Sequence, residues 1–333
     1  MAEGMRAAVV LGSGGARGYA HIGALEVLAE RGFEVVSIAG SSMGALVGGV
    51  AAAGKLDAYT EWARSLTQRE VWRLLDLSIT SPGGAIRAER IIAKVGEILD
   101  GATIESLPIP YTAVATDINA RREVWFQRGP VVHAIRASIA IPGVITPAVI
   151  NGRVLVDGGL INPIPIEPTA AANADVTIAV SLSGMRAAGG PTTPVKESSE
   201  AVPREEWTTR LRRSATDVLE SERIRAITSR LGGHGRDLDH HQTIPPEAIA
   251  DLPPTPTEAL VVRAADVGLV DLLNMSFETM SALISRYRMA SNPPDVLVTV
   301  PSNAVKTLDF HRAAEMIELG RQLTTEALDH AGY

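Results

Sequence analysis

The sequence predicts an α/β protein: a three-layer α/β/α sandwich around a mostly parallel central sheet, with a helical C-terminal elaboration. Two observations carry that reading. Apolar β runs alternate with helical stretches from the first residues onward, and such strand–turn–helix units build parallel sheets covered on both faces. The chain is also 46% hydrophobic yet only 4% aromatic, so Ala, Val, Leu and Ile must fill its core. Its 333 residues suffice for one large α/β domain or two small ones.

The first unit opens with a short buried strand, Arg6–Leu11, that runs straight into Gly12-Ser13-Gly14-Gly15-Ala16-Arg17-Gly18. A helix follows over about residues 19–31, with Ile22, Leu25 and Leu28 on one face and Gly32 as its stop. A glycine-rich loop between strand and helix turns backbone N–H groups toward an anion. It is not a P-loop, because Gly18 is followed by Tyr19-Ala20 rather than by Lys-Ser/Thr. A dinucleotide fingerprint counted from Gly12 and Gly14 needs glycine where Arg17 stands. Two readings stay open here beside a minor one, a nucleotide site. One is an oxyanion hole using the amides of Gly14 and Gly15; the other is a plain tight turn.

The second unit is Val35–Lys55, VVSIAGSSMGALVGGVAAAGK. An apolar strand (Val35, Val36, Ile38) passes through Gly40-Ser41-Ser42-Met43-Gly44 into a small-residue helix. Strand, sharp turn with serine at its apex, then helix is the layout of a nucleophile elbow. Such a turn strains the backbone at Ser42, and Gly40 and Gly44 remove the Cβ atoms that would block it. A membrane helix is the competing reading, since residues 35–54 carry no charge. Five glycines and three serines in that window make a poor lipid-facing surface, so the elbow is preferred.

Helices are expected over residues 55–75 and 85–99, joined by Ser81-Pro82-Gly83-Gly84, then strands at Tyr111–Asp117 and Glu123–Gln127. A helix over Val131–Ile139 ends before Pro142, and a strand over Arg153–Val156 delivers Asp157-Gly158-Gly159. Taken alone, that tripeptide reads equally as a strand-ending turn. A further buried strand, Asp175–Ser181, completes a core over residues 1–182.

Residues 183–206, rich in Gly, Pro, Thr, Ser and Glu, read as a flexible linker. Residues 207–333 read as a mostly helical extension packing on the core, with one late strand at Asp295–Val300. A helix over 205–231 carries six arginines, but Glu and Asp are interspersed, which favours a solvated face over a headgroup-binding one. His234, Asp237, Asp239, His240 and His241 fall in a polar, proline-rich loop without a helical His-x-x-x-His frame, so no metal is expected. Helical patterns resume over 258–288, and a last helix runs from Phe310 to about His330.

A net charge of −7 and a pI near 5.6 argue against a nucleic-acid partner. Cysteine is absent, which removes disulfides, thiolate catalysis and Cys-ligated metal and is compatible with a reducing compartment. The opening MAEGMRAAVV lacks a basic segment followed by a long apolar one. The expectation is therefore a cytoplasmic protein, with peripheral contact at the inner face of a membrane, and no cofactor.

The SGGARG loop, the GSSMG elbow and the later Asp157-Gly158-Gly159, in that order, resemble the bacterial patatin-like phospholipases. The resemblance covers about residues 6–182; no motif marks the C-terminal third. The family's loop usually reads G-G-G-x-R/K-G, and Ser13 replaces its first glycine while Gly14, Gly15, Arg17 and Gly18 remain. The resemblance implies a lipid acyl-ester substrate and a Ser–Asp dyad, Ser42 as nucleophile and Asp157 as base. The oxyanion would be held by Gly14, Gly15 and Met43, with Arg17 steadying either the loop or the oxyanion. Gly158 and Gly159 would let the two backbones approach. An α/β-hydrolase triad would instead need a late histidine, and His234, His240, His241, His311 and His330 qualify by order alone. Acyl transfer to an acceptor other than water, and a non-catalytic lipid-binding module, remain as alternatives on the same residues.

Overall fold

Residues 6–41 form strand β1 (Arg6–Leu11), helix α1 (Ala20–Glu30) and strand β2 (Glu34–Ser41), as the apolar pattern predicts. A 3₁₀ turn over Gly15–Tyr19 leads into α1. Helix α2 (Met43–Ala52) follows the elbow directly. The computed structural model describes residues 4–75, 84–184 and 269–333. The expected linker beyond residue 184, the arginine-rich helix and the histidine-containing loop lie outside the described residues.

The single helix expected over 55–75 is two, α3 (Leu56–Ser65) and α4 (Gln68–Leu74). Between them the chain extends at Leu66 (φ −70°, ψ 118°), and Thr67 and Glu70 form a capping box that starts α4 afresh. The helix expected from residue 85 begins later. Strand β3 (Gly84–Ile86) comes first, and α5 (Glu89–Leu99) starts after Ala88 turns through a left-handed φ of 58°.

Strands β4 (Tyr111–Asp117) and β5 (Arg122–Phe126) and helix α6 (Val131–Ser138) follow expectation. The segment after Pro142 folds into two three-residue strands not foreseen, β6 (Gly143–Ile145) and β7 (Ala148–Ile150). Strand β8 (Arg153–Asp157) ends on the aspartate, and β9 spans Val176–Gly184, so the first two residues of the expected linker are strand. Helix α7 (Leu269–Ser291), strand β10 (Val296–Pro301) and helix α8 (Ala313–Ala331) close the chain.

The main sheet runs β10-β9-β1-β2-β4-β8-β7, with β5 also on β4. Five neighbouring strands, β10 to β4, are parallel; β5 and β8 pair antiparallel with β4, and β7 pairs antiparallel with β8. Alternate residues of β1 face opposite layers. Val9 and Leu11 join the large core shared with α1, α2 and α8, whereas Val10 packs with Ile164, Ile166 and Met289 of α7. Helices thus cover both faces, and α8 is latched onto α1 by Arg321 bonded to Glu26 and Glu30.

One feature of the register positions the site. Strand β5 takes one edge of β4 over Ala113–Asp117, so β2 and β8 must share the other. Ser41 at the end of β2 pairs Val114, and Asp157 at the end of β8 pairs the next residue, Ala115. The two strands therefore run toward each other along one edge and meet at their C-terminal ends.

Candidate active site

The residue after that meeting point on β2 is Ser42. It sits at φ 56°, ψ −122°, a left-handed φ that costs a residue with a Cβ about 1–3 kcal/mol and is characteristic of functional turns. The tight turn requires glycine at position 44, where a Cβ would run into the carbonyl of Leu11. Ser138 at the end of α6 holds the elbow: its Oγ accepts the Ser42 N–H (2.8 Å) and donates to the Val114 carbonyl (2.5 Å). Ser41 Oγ donates to the Asn162 carbonyl at 2.6 Å.

Ser42 Oγ donates to Asp157 Oδ2 at 2.5 Å, and the Gly159 N–H donates to Asp157 Oδ1 at 2.7 Å. Both side chains are buried, Asp157 completely. Burial pushes the Asp157 carboxyl up from an ordinary 3.8 to about 7, against the opposing pull of the bonds from Ser42 and Gly159. The close approach needs glycine at 158, where a Cβ would meet the Val114 carbonyl. Thr116 Oγ1 donates to the Asp157 carbonyl at 2.9 Å and fixes the end of β8.

The first glycine loop lies beside this pair. The amides of Gly14, Gly15 and Met43 have no backbone partner among the described hydrogen bonds. Arg17 is 4% exposed, and its guanidinium is spent on structure: Nε to the Gly14 carbonyl (3.1 Å), one terminal nitrogen to the Ser302 carbonyl (2.7 Å), the other to Glu278 Oε1 (2.6 Å). Of the two roles expected for Arg17, these bonds are those of a residue that steadies the loop. The carbonyl of Gly14 and the N–H of Gly15 belong to one planar peptide and point opposite ways. Arg17, by holding that carbonyl, turns the Gly15 N–H away from the guanidinium.

Gly15, Ser42 and Met43 line a common cavity of about 60 Å³ that opens to solvent on one side. Its remaining wall is almost wholly apolar, including Tyr19, Tyr59, Trp62, Leu75 and Ile145. Gly14 lines a second, adjoining cavity. His21 is buried and its Nε2 lies 2.8 Å from the Gly12 carbonyl; burial lowers its pKa to about 4, so the neutral ring donates there and props the loop. His133 and His330 are exposed on the surface. Among the described residues no group of His, Asp or Glu is arranged to hold a metal ion, and no helix is long and apolar enough to cross a membrane.

A family model for patatin-like phospholipase matches residues 9–170, the span that holds the glycine loop, the elbow and Asp157. An uncharacterized NTE family protein of Mycobacterium tuberculosis is 47% identical over 345 residues, covering 97% of this chain and 91% of that one. The chain belongs to the patatin-like phospholipase family. That family is one of lipid acyl hydrolases. Patatin-like phospholipase domain-containing protein 7 of Mus musculus is 34% identical, over 54% of this chain and 14% of its own length. Protein 6 of the same series in Homo sapiens is 35% identical, over 52% and 13%. VipD from Legionella pneumophila aligns over 99% of this chain and 67% of its own, at 13% identity and a TM-score of 0.41.

Several side chains that hold the site lie outside the motifs, and some outside the family span altogether. Helix α7 contributes Glu278 to Arg17, Ser281 Oγ to the Gly159 carbonyl (3.0 Å), and Arg288 to the Ile161 carbonyl and to Glu167 and Glu123. Ser138 and Asn162 also went unnoticed in the sequence. A lone Ser or Asn carries no local pattern that would have singled it out.

Proposed function

We propose that this protein is a serine acyl hydrolase that cleaves fatty-acyl esters of lipids through a Ser42–Asp157 dyad and an acyl-enzyme. The observation that carries the reading is the direct bond from Ser42 Oγ to Asp157 Oδ2, in a strained elbow beside an apolar cavity. No space is left between the two groups for the histidine of a triad. A carboxylate near an ordinary 3.8 would be a weak base at neutral pH, and the value of about 7 at Asp157 supports the role of general base.

Ser42 Oγ attacks the ester carbonyl as its proton passes to Asp157 Oδ2. The tetrahedral oxyanion accepts hydrogen bonds from the amides of Gly15 and Met43, with that of Gly14 adjacent, and from the N-terminal end of α2. The carbon–oxygen bond to the alcohol breaks and the leaving oxygen takes the proton back from Asp157. Water then attacks the acyl-enzyme, giving a proton to Asp157; the acyl–Oγ bond breaks and Oγ recovers that proton. The acyl chain occupies the apolar cavity. Trp72 is 54% exposed on α4, whose Val71 and Leu74 line that cavity, and supports peripheral contact with a lipid surface.

The test is covalent trapping with a fluorophosphonate, followed by mass mapping. Labelling at Ser42 that vanishes in Ser42→Ala, together with turnover of nitrophenyl esters, is expected. A folded protein that neither labels nor turns over would refute the hydrolase reading.

A further inference from the structure

The cavity adjoining that of Ser42 has a different chemistry; it is open to solvent on one side and has a volume of about 30 Å³. Ser13 and Gly14 of the glycine loop, Ser183 at the end of β9, and Phe277, Glu278 and Ser281 of α7 line it. The first cavity is walled almost wholly by aliphatic and aromatic side chains; the second, which Phe277 and Ile141 also line, is the more polar of the two and carries the side chains of Ser13, Ser183, Ser281 and Thr307 and the Arg17–Glu278 ion pair. Gly15, Ile141 and Thr307 belong to both walls, so the two spaces meet at the Gly15 backbone. A lipid ester has an apolar arm and a polar arm joined at the carbonyl. Resting on the acyl-hydrolase reading, we propose that the second cavity receives the alcohol arm, and that this arm is a glyceryl group without negative charge, as in a monoacyl ester of glycerol.

The restriction on charge follows from how the wall is paired. Arg17 is the one cation in it among the described residues, and its guanidinium already serves the Gly14 carbonyl, the Ser302 carbonyl and Glu278. A phosphate entering here meets no unpaired cation and faces the Glu278 carboxylate at short range, in a site partly screened from water. Neutral hydroxyls fare differently. The hydroxyls of Ser13 and Ser183 each offer both a donor and acceptors, and those of Ser281 and Thr307, whose protons are given to the Gly159 carbonyl and to Glu278, still accept. Ser183, the α7 residues and Thr307 lie beyond residues 9–170, so half of this subsite's lining comes from the part of the chain that the family model leaves out.

The experiment compares two esters of one fatty acid, the 1-monoacylglycerol and the corresponding lysophosphatidate, in the same neutral detergent micelle. Both form the same acyl-enzyme, so the ratio of their kcat/KM values reports the alcohol arm alone. The full-length protein is expected to prefer the neutral ester by at least about tenfold, and Glu278→Gln to narrow that preference by about threefold or more. Equal use of the two esters, a preference for the anion, or a ratio that Glu278→Gln leaves unmoved overturns the proposal. Should the variant not fold, the wild-type ratio decides alone. Fluorophosphonate labelling separates two failures: a labelled Ser42 with a ratio near one sinks only the alcohol subsite, whereas an unlabelled, inactive protein sinks the hydrolase reading and the subsite with it.

Discussion

Replacing Asp157 with asparagine removes a charge that the fold disfavours and that ester cleavage is proposed to need. In the folded protein the carboxyl stands at about 7, against an ordinary 3.8 in the unfolded chain. Between those values the folded state keeps a proton that the unfolded state has released, so stability falls as pH rises. The favourable contribution is complete below 3.8 and is lost as pH climbs through about 7. Roughly three pH units at 1.36 kcal/mol each amount to about 4 kcal/mol, of which about 2.5 kcal/mol falls between pH 5 and pH 8. Asparagine has nearly the same shape and no charge to bury. Urea unfolding should therefore find Asp157→Asn more stable than wild type at pH 8, with the gap narrowing by about 2.5 kcal/mol at pH 5. In parallel, wild-type kcat/KM should rise through a pKa near 7, and the variant should lose about 10²–10⁴-fold in rate. The reasoning is refuted if the two proteins share one pH dependence of stability, or if wild-type activity is flat from pH 5 to 9.

Other substitutions probe the surroundings of the dyad. Val71→Trp intrudes on the apolar cavity; excluding three methylenes of a long chain at about 0.8 kcal/mol each should cut kcat/KM for a palmitoyl ester about 50-fold relative to a butyryl ester, measured on nitrophenyl esters. Ser138→Ala leaves the Ser42 N–H and the Val114 carbonyl buried without their partner. It should cost about 1–3 kcal/mol in urea unfolding and lower kcat more than it raises KM. Arg17→Leu strands Glu278 and two carbonyls, and a loss of about 3 kcal/mol with a depressed kcat is expected, whereas Arg17→Lys should recover only part of either.

The sequence by itself determined the local pieces. Glycines at 40 and 44 around Ser42 announced a turn that ordinary residues cannot make, and the apolar runs at 6–11, 111–117 and 153–157 announced strands, because backbone sterics and side-chain periodicity act over a few residues. It missed β6 and β7, each of three residues, since so short a run has no period to read. It also merged α3 and α4, where two extended residues and a capping box outweighed a continuous helical pattern. Only the tertiary structure decided that β2 and β8 meet end to end on one edge of β4, bringing Ser42 and Asp157 together across 115 residues. The same packing buried Asp157, and it gave Arg17 a partner 261 residues away in α7. Such pairings depend on which elements lie side by side in the folded chain, and a buried polar group takes whichever partner packing brings within reach; neither leaves a trace in the local pattern of residues.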